Sequence, residues 1–310
     1  MAKDIPYAAW KLGLLPDRFS YAPYTSQPDG STLWATVSGE GVDEHPQFVP
    51  ASKAITVIDV RQGRLQRMIM KILSQLSGSD LSDRYIHLGY AVVTLSQSTA
   101  KELGIEAEKR FIHMSGRRGT YINADDVLDA LHSRAYEESR VRNPKEGVEW
   151  LHSVAEKIAV AAVRFDLLKQ DLDKMVSFDL KEALRLEGDT GPYTLYTYAR
   201  AARIIEKSGL QPKIDRESAS LLREPIEREL VKAISKFDLV VEDAARLLSP
   251  KTVARYCLRI CELFNMFYER HPVLQAEDGV REARLALVGA FKRTLYNALN
   301  LLGIEAPDKI

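Results

Sequence analysis

The stretch Asn123–Ser133, NADDVLDALHS, marks the point at which the chain changes character, and its reading decides the fold. Asparagine is among the residues that cap helix N-termini, and Asp125 and Asp126 fall in the first turn, where the helix dipole favours negative charge. From here one amphipathic helix follows another, and no convincing strand recurs. A long helix begins near Pro144 and runs through EWLHSVAEKIAVAAVRFDLLKQ. In the last helix Val288, Phe291, Leu295, Leu299 and Leu302 form one apolar stripe, ended by Gly303 and then Pro307. The spacing predicts an all-α bundle over residues 123–310.

Upstream the texture is mixed. Lys3–Leu15 reads as a helix, and Leu33–Val37 and Ala54–Val60 (AITVIDV) are short β-branched runs of the kind buried strands show. SGEGVDEHPQFVP between them is turn-rich and reads as a loop. Arg64–Leu76 carries apolar residues at helical spacing, and Tyr85–Leu95 (YIHLGYAVVTL) favours a strand. Strand, helix, strand in that order predicts a βαβ unit from a parallel sheet. Two domains follow: residues 1–122, α/β, and residues 123–310, all helical.

Composition sets the bounds. A chain of 310 residues, 45% hydrophobic and 28% charged, suits two ordinary globular cores. Its apolar runs stay short of the roughly 20 residues that span a bilayer, and MAKDIPYAAWKLGLL does not read as a secretion signal, so the reading is cytoplasmic, with no membrane partner. Lysine plus arginine and aspartate plus glutamate number 43 each, so any nucleic-acid site must be a local patch. Cys257 and Cys261 lie one helical turn apart, away from the spacing of a zinc site, and read as buried free thiols. No metal site is expected. His45, His132, His152 and His271 are isolated and read as ordinary surface or partly buried histidines. The charged run RESASLLREPIERELVK reads as a solvated helix face that borders RNA in the second reading.

The segment richest in chemistry is His113–Gly119, HMSGRRG. Ser115, Gly116 and Gly119 let backbone approach a ligand closely, and Arg117 and Arg118 offer forked donors to phosphate oxygens. By composition alone, a solvated basic turn fits as well. In the helical half, Tyr193, Tyr196 and Arg200 fall at spacings of three and four on one helical face, and aromatic plus guanidinium groups suit stacking on unpaired bases. The plain alternative is tyrosines that fill a core with the hydroxyl at its edge.

HMSGRRG resembles the KMSKS loop of class I aminoacyl-tRNA synthetases, in the diverged form of the arginyl-tRNA synthetases of archaea and similar lineages. KDIPYAAWKLGLL, DGSTLWATVSGEG, ITVIDVRQ, IHLGYAVVTLS, HMSGRRGTYINADDVLD, LEGDTGPYTLYTYAR and LLGIEAPDKI resemble that family in order and spacing across essentially the whole chain. The resemblance implies a partial Rossmann-type nucleotide-binding sheet in residues 1–122 and an anticodon-binding helical bundle in residues 123–310. It implies that Asp4 recognises the substrate guanidinium and that Gln62 hydrogen-bonds the amino acid. The loop residues His113, Met114, Ser115, Gly116, Arg117, Arg118 and Gly119 would then bind ATP, with Arg117 and Arg118 catalytic, stabilising charge on the leaving pyrophosphate. His113 and Gly116 stand where the general motif has lysines. Tyr193, Tyr196 and Arg200, and also Tyr268, which matches a position that stacks on an anticodon base, would contact tRNA.

The same resemblance implies an incomplete active site. HLGY at His87–Tyr90 lies in a strand-like run and is not the HIGH-type signature of the class, and the family's arginine-binding tyrosine would fall just before Met1. The expected activity is therefore ATP-dependent, magnesium-assisted ligation of arginine to tRNA(Arg) when a separate N-terminal half completes the site. The rival expectation is a stand-alone tRNA-binding protein descended from a synthetase. A severed sheet should expose apolar surface, with aggregation or obligate pairing as the consequence.

Overall fold

In the computed structural model, which describes residues 3–104, 123–213 and 216–310, the chain separates into two units, Met1–Ala91 and Val92–Ile310. In the first, helix α1 (Asp4–Lys11) buries Ala8 and Ala9, and strands β1 (Ser20–Ser26) and β2 (Thr32–Val37) pair as an antiparallel hairpin. Strand β3 (Ala54–Asp59), a single 3₁₀ turn at Val60–Gln62, helix α2 (Gly63–Ser77) and strand β4 (Tyr85–Tyr90) make the expected βαβ unit. β3 and β4 are parallel, in register from Ala54 opposite Tyr85 to Asp59 opposite Tyr90. α2 buries Gln66, Ile69 and Leu73, and the Tyr85 hydroxyl donates to the Gln66 side-chain oxygen at 2.7 Å, which satisfies both buried polar groups. Gly78 takes φ 69° at the end of α2, a left-handed cap that glycine adopts without a Cβ clash.

Two expectations for this unit are corrected. β2 and β3 are not buried strands: β2 has a single partner strand, and β3 turns Ile55 (44% exposed) and Val57 (63% exposed) outward. Ile55 and Val57 make this face of the sheet apolar and open. The run Tyr85–Leu95 is also not one strand. β3 stops at Asp59, whose carboxylate accepts from the Arg61 backbone N–H at 2.8 Å and turns the chain, so β4 runs out of partner at Tyr90. Strand β5 (Val93–Leu95) pairs elsewhere, parallel to β6 (Val176–Phe178), which the sequence reading did not foresee in the helical half.

The second unit thus opens with β5 and α3 (Gln97–Glu102). The Ser96 hydroxyl donates to Asp179 at 2.6 Å and the Leu180 N–H donates to Thr99 at 3.0 Å, which ties this start to β6. Then come α4 (Ala124–Arg142), α5 (Val148–Leu168), β6, α6 (Leu180–Ala183), α7 (Gly191–Ser208), α8 (Arg216–Ala219), α9 (Pro225–Ser235), α10 (Phe237–Leu247), α11 (Pro250–Arg270) and α12 (Val280–Leu301). Asn123 and Asp126 form the capping box of α4. α5 starts at Val148 rather than near Pro144, because Asn143–Glu146 close a turn and Gly147 stays extended.

The α12 stripe Val288, Phe291, Leu295, Leu299 and Leu302 is buried, and Phe264 of α11 stacks on Phe291 with ring centroids 4.0 Å apart. α5 and α7 meet at Gly191, where an added Cβ would sit 2.3 Å from the Ala161 carbonyl oxygen. Cys257 and Cys261 are fully buried, unbridged and, through burial, shifted well above the ordinary thiol range. Among the described residues no helix is long and apolar enough to cross a membrane.

Candidate nucleic-acid interface

α7 owes its start to Thr190, whose hydroxyl accepts from the Tyr193 N–H at 3.2 Å, and to Pro192 in the first turn. Thr194, Leu195, Thr197, Tyr198, Ala201 and Ala202 are buried. This leaves Tyr193 and Tyr196 half-buried at the margin of the packed face and Arg200 exposed. α11 is built alike. Phe264 and Phe267 are buried, Asn265 is half-buried, and Tyr268 is 42% exposed.

The two margins meet through one amide. Asn265 donates from Nδ2 to the Tyr193 hydroxyl at 3.0 Å and, more weakly, to the Thr197 hydroxyl at 3.4 Å. Its Oδ1 accepts from the Arg200 guanidinium at 2.6 Å. That guanidinium also lies 5.6 Å from the centroid of the Tyr268 ring, within cation–π reach. Tyr193, Arg200 and Tyr268, three of the four residues singled out for RNA, are therefore one cluster. Tyr196 belongs to a neighbouring one: the Arg142 guanidinium, from the last turn of α4, sits 5.3 Å from its ring centroid. Burial raises the Tyr193 and Tyr196 hydroxyl pKa values above the ordinary phenol range.

Beside the cluster opens a groove of about 570 Å³, lined by Arg200, Arg203 and Lys207 of α7, Tyr268 and Glu269 of α11, and the segment Pro272–Gln275. Three cations against one carboxylate make it locally positive on a chain whose formal net charge is zero. The Arg284 guanidinium, paired with the buried Glu227 at 2.7 Å, also donates to the Pro272 carbonyl at 2.9 Å and so holds one wall. Aromatic faces and exposed cations around an open groove can stack a base and hold its phosphate. Asn265, Arg203 and Lys207 were missed from sequence. The two cations follow Arg200 by three and seven positions, a helical spacing that could have signalled them, whereas Asn265 carries no pattern.

In the first unit Asp4 is exposed in the first turn of α1, and Gln62 is exposed just beyond the carboxyl end of β3. The carboxyl ends of parallel strands are where such sheets bind ligands. His87 of HLGY is a β4 residue whose Nε2 lies 3.1 Å from the Ile58 carbonyl, a strand-to-strand contact. His113, Met114, Ser115, Gly116, Arg117, Arg118 and Gly119 lie outside the described residues. His132 and His152 are not isolated. They stack with centroids 5.2 Å apart and ring nitrogens 3.3 Å apart, packed against Tyr136. Among the described residues no group of three or more His, Cys, Asp or Glu side chains is placed to hold a metal ion.

Residues 194–310 match the model of the DALR anticodon binding domain, so the groove and most of its surrounding cluster lie in a domain of that type. An arginine-tRNA ligase of Deinococcus radiodurans is 34% identical over 99% of this chain and 50% of its own length, and one of Thermococcus kodakarensis is 35% identical over 99% and 47%. The solved Thermus thermophilus arginyl-tRNA synthetase superposes with a TM-score of 0.83 at 30% identity, covering all of this chain and 49% of that one. The fold and the match to an anticodon-binding domain model together place the chain in the aminoacyl-tRNA synthetase class. Within that class the chain belongs to the arginyl-tRNA synthetase family and corresponds to its C-terminal half. It spans about half the length of the curated relatives it matches.

Proposed function

We propose that this chain provides the tRNA-binding half of an ATP-dependent arginine-tRNA ligase acting in the cytoplasm. Residues 1–122 close the catalytic domain and residues 123–310 bind the anticodon arm of tRNA(Arg). The single observation that carries the reading is the cluster of Tyr193, Arg200 and Tyr268 beside a positive groove in helices of anticodon-binding type. Asp4 takes the guanidinium of arginine as a charge-assisted pair, and Gln62 holds its amino-acid end. The arginine carboxylate attacks the α-phosphate of ATP, a carboxylate–phosphate bond forms, and pyrophosphate leaves. Arg117 and Arg118 offset the charge that grows on the leaving group. The terminal ribose hydroxyl of tRNA then attacks the arginyl carbonyl, and AMP leaves. Magnesium would accompany the nucleotide phosphates and offset part of their charge.

Arginine-dependent exchange of pyrophosphate into ATP tests the catalytic part. The chain alone should give essentially none, and supplying the remaining half of the relatives' length as a second chain should restore it. Robust exchange by the chain alone would overturn the division of labour. With the pair in hand, replacing Arg117 and Arg118 should depress adenylate formation far more than tRNA binding. Equal losses in both would make that segment a general RNA contact.

A further inference from the structure

We infer that Asn265 is a positioning residue of the RNA site: it fixes the Arg200 guanidinium beside the Tyr268 ring without cancelling its charge. The inference rests on the proposed reading of this face as the tRNA-binding one. Four groups define the geometry. The Asn265 amide spends both ends on α7, its oxygen on Arg200 at 2.6 Å and its NH₂ on Tyr193 at 3.0 Å and Thr197 at 3.4 Å. Turned over, the amide would set its NH₂ against a guanidinium that has only donors, so this one orientation is imposed by its partners. Tyr193, Thr197 and Arg200 occur at spacings of four and three on α7, and Asn265 and Tyr268 are three apart on α11. One side chain therefore fixes the rotamer of an exposed arginine across two helices.

The choice of amide matters. An aspartate at position 265 would hold the guanidinium more tightly, but as an ion pair that neutralises it. Both partners of Arg200 in this cluster, an amide oxygen and an aromatic face, are neutral. Arg200 is thus held by neutral partners, its charge facing a groove that also carries Arg203, Lys207 and the single carboxylate of Glu269. The arrangement is a preorganised seat for one unpaired nucleotide, its base on Tyr268 and its phosphate drawn to Arg200. Preorganisation removes the entropy cost of ordering a long side chain on binding.

The test is binding of the full chain to an unmodified tRNA(Arg) transcript over a range of salt concentrations. Asn265→Ala should weaken binding about fivefold to tenfold, within the range base-stacking sites show on truncation. In an Arg200→Ala background the same change should cost nothing further, because its effect runs through the arginine. Asn265→Asp, which keeps the oxygen against Arg200, should preserve the melting temperature yet lower the salt slope by about 0.7 to 0.9, the value of one lost phosphate contact. Equal losses from Asn265→Ala with and without Arg200, or an unchanged slope for Asn265→Asp, would overturn the inference. Tyr268→Ala separates the two levels. If it weakens binding while Asn265→Ala does not, the positioning role fails and the tRNA face stands. If a folded Tyr268→Ala binds as the parent does, the reading of the face fails.

Discussion

At the scale of single residues, two side chains of α7 and one amide of α11 make the core of the proposed RNA face. Tyr193 and Arg200, seven apart, lie on one face of α7 and do converge, joined by Asn265. Tyr196 satisfies the same periodicity but meets Arg142 instead, because the margin of α7 is shared by two neighbouring helices. Asn265 was illegible: its partners lie 65 to 72 positions away in the chain, and a lone asparagine on a helix has no signature. The cysteines were legible, and they carry a prediction. Cys257 and Cys261 are fully buried on α11, and burial raises both thiols, so thiolate is scarce at pH 8 and the sulfurs are out of reach. A thiol-reactive chromophore should label neither in the native chain and both after denaturation. Rapid stoichiometric labelling of the folded protein would show that α11 opens readily or packs differently.

At the scale of elements, long periodic helices were legible and short strands were not. α12 declares itself through five buried apolar positions and a terminal Gly303 at φ 67°, whereas β6 has three residues and acquires strand character only from its partner β5. β4 and β5 read as one run because nothing local in YIHLGYAVVTL records that β3 ends at Asp59. Helix contacts hidden from periodicity include the one at Gly191, in the first turn of α7. Its missing Cβ admits the Ala161 carbonyl of α5, and both helices belong to the main core. Gly191→Ala must push the helices apart or strain the turn, since backbone is what the new methyl meets. The expected cost is about 1 to 3 kcal/mol in urea unfolding. A shifted α7 should also loosen tRNA binding, because Tyr193 and Arg200 ride on it. An alanine variant as stable as the parent would mean that the α5–α7 approach is looser than 2.3 Å implies.

At the scale of the whole molecule, the two units rest on unequal foundations. The first has a small core, centred on Ala8, Ala9, Leu12, Ile69, Leu73 and Leu81, and two sheets of two strands each, with Ile55 and Val57 open to solvent. Two-stranded sheets are marginal without further strands or a covering layer. The second is a helical core holding Phe165, Phe264, Phe267 and Phe291, all fully buried. Stability follows buried apolar area against chain entropy, so the first unit should unfold at lower denaturant than the second. Tryptophan placement makes this measurable, since Trp10 and Trp34 lie in the first unit and Trp150 lies in α5 of the second. In urea, a Trp150→Phe variant should report an early fluorescence transition of small m-value. A Trp10→Phe/Trp34→Phe variant should report a later, steeper one that coincides with loss of helical circular dichroism, because m scales with the surface exposed. Superimposable transitions for the two variants would show that both units unfold as one. The open face of β3 would then contribute less instability than its exposed isoleucine and valine imply. Supplying the complementary half of the relatives' length should shift the early transition alone toward higher denaturant, since ligation stabilises only the unit that binds it.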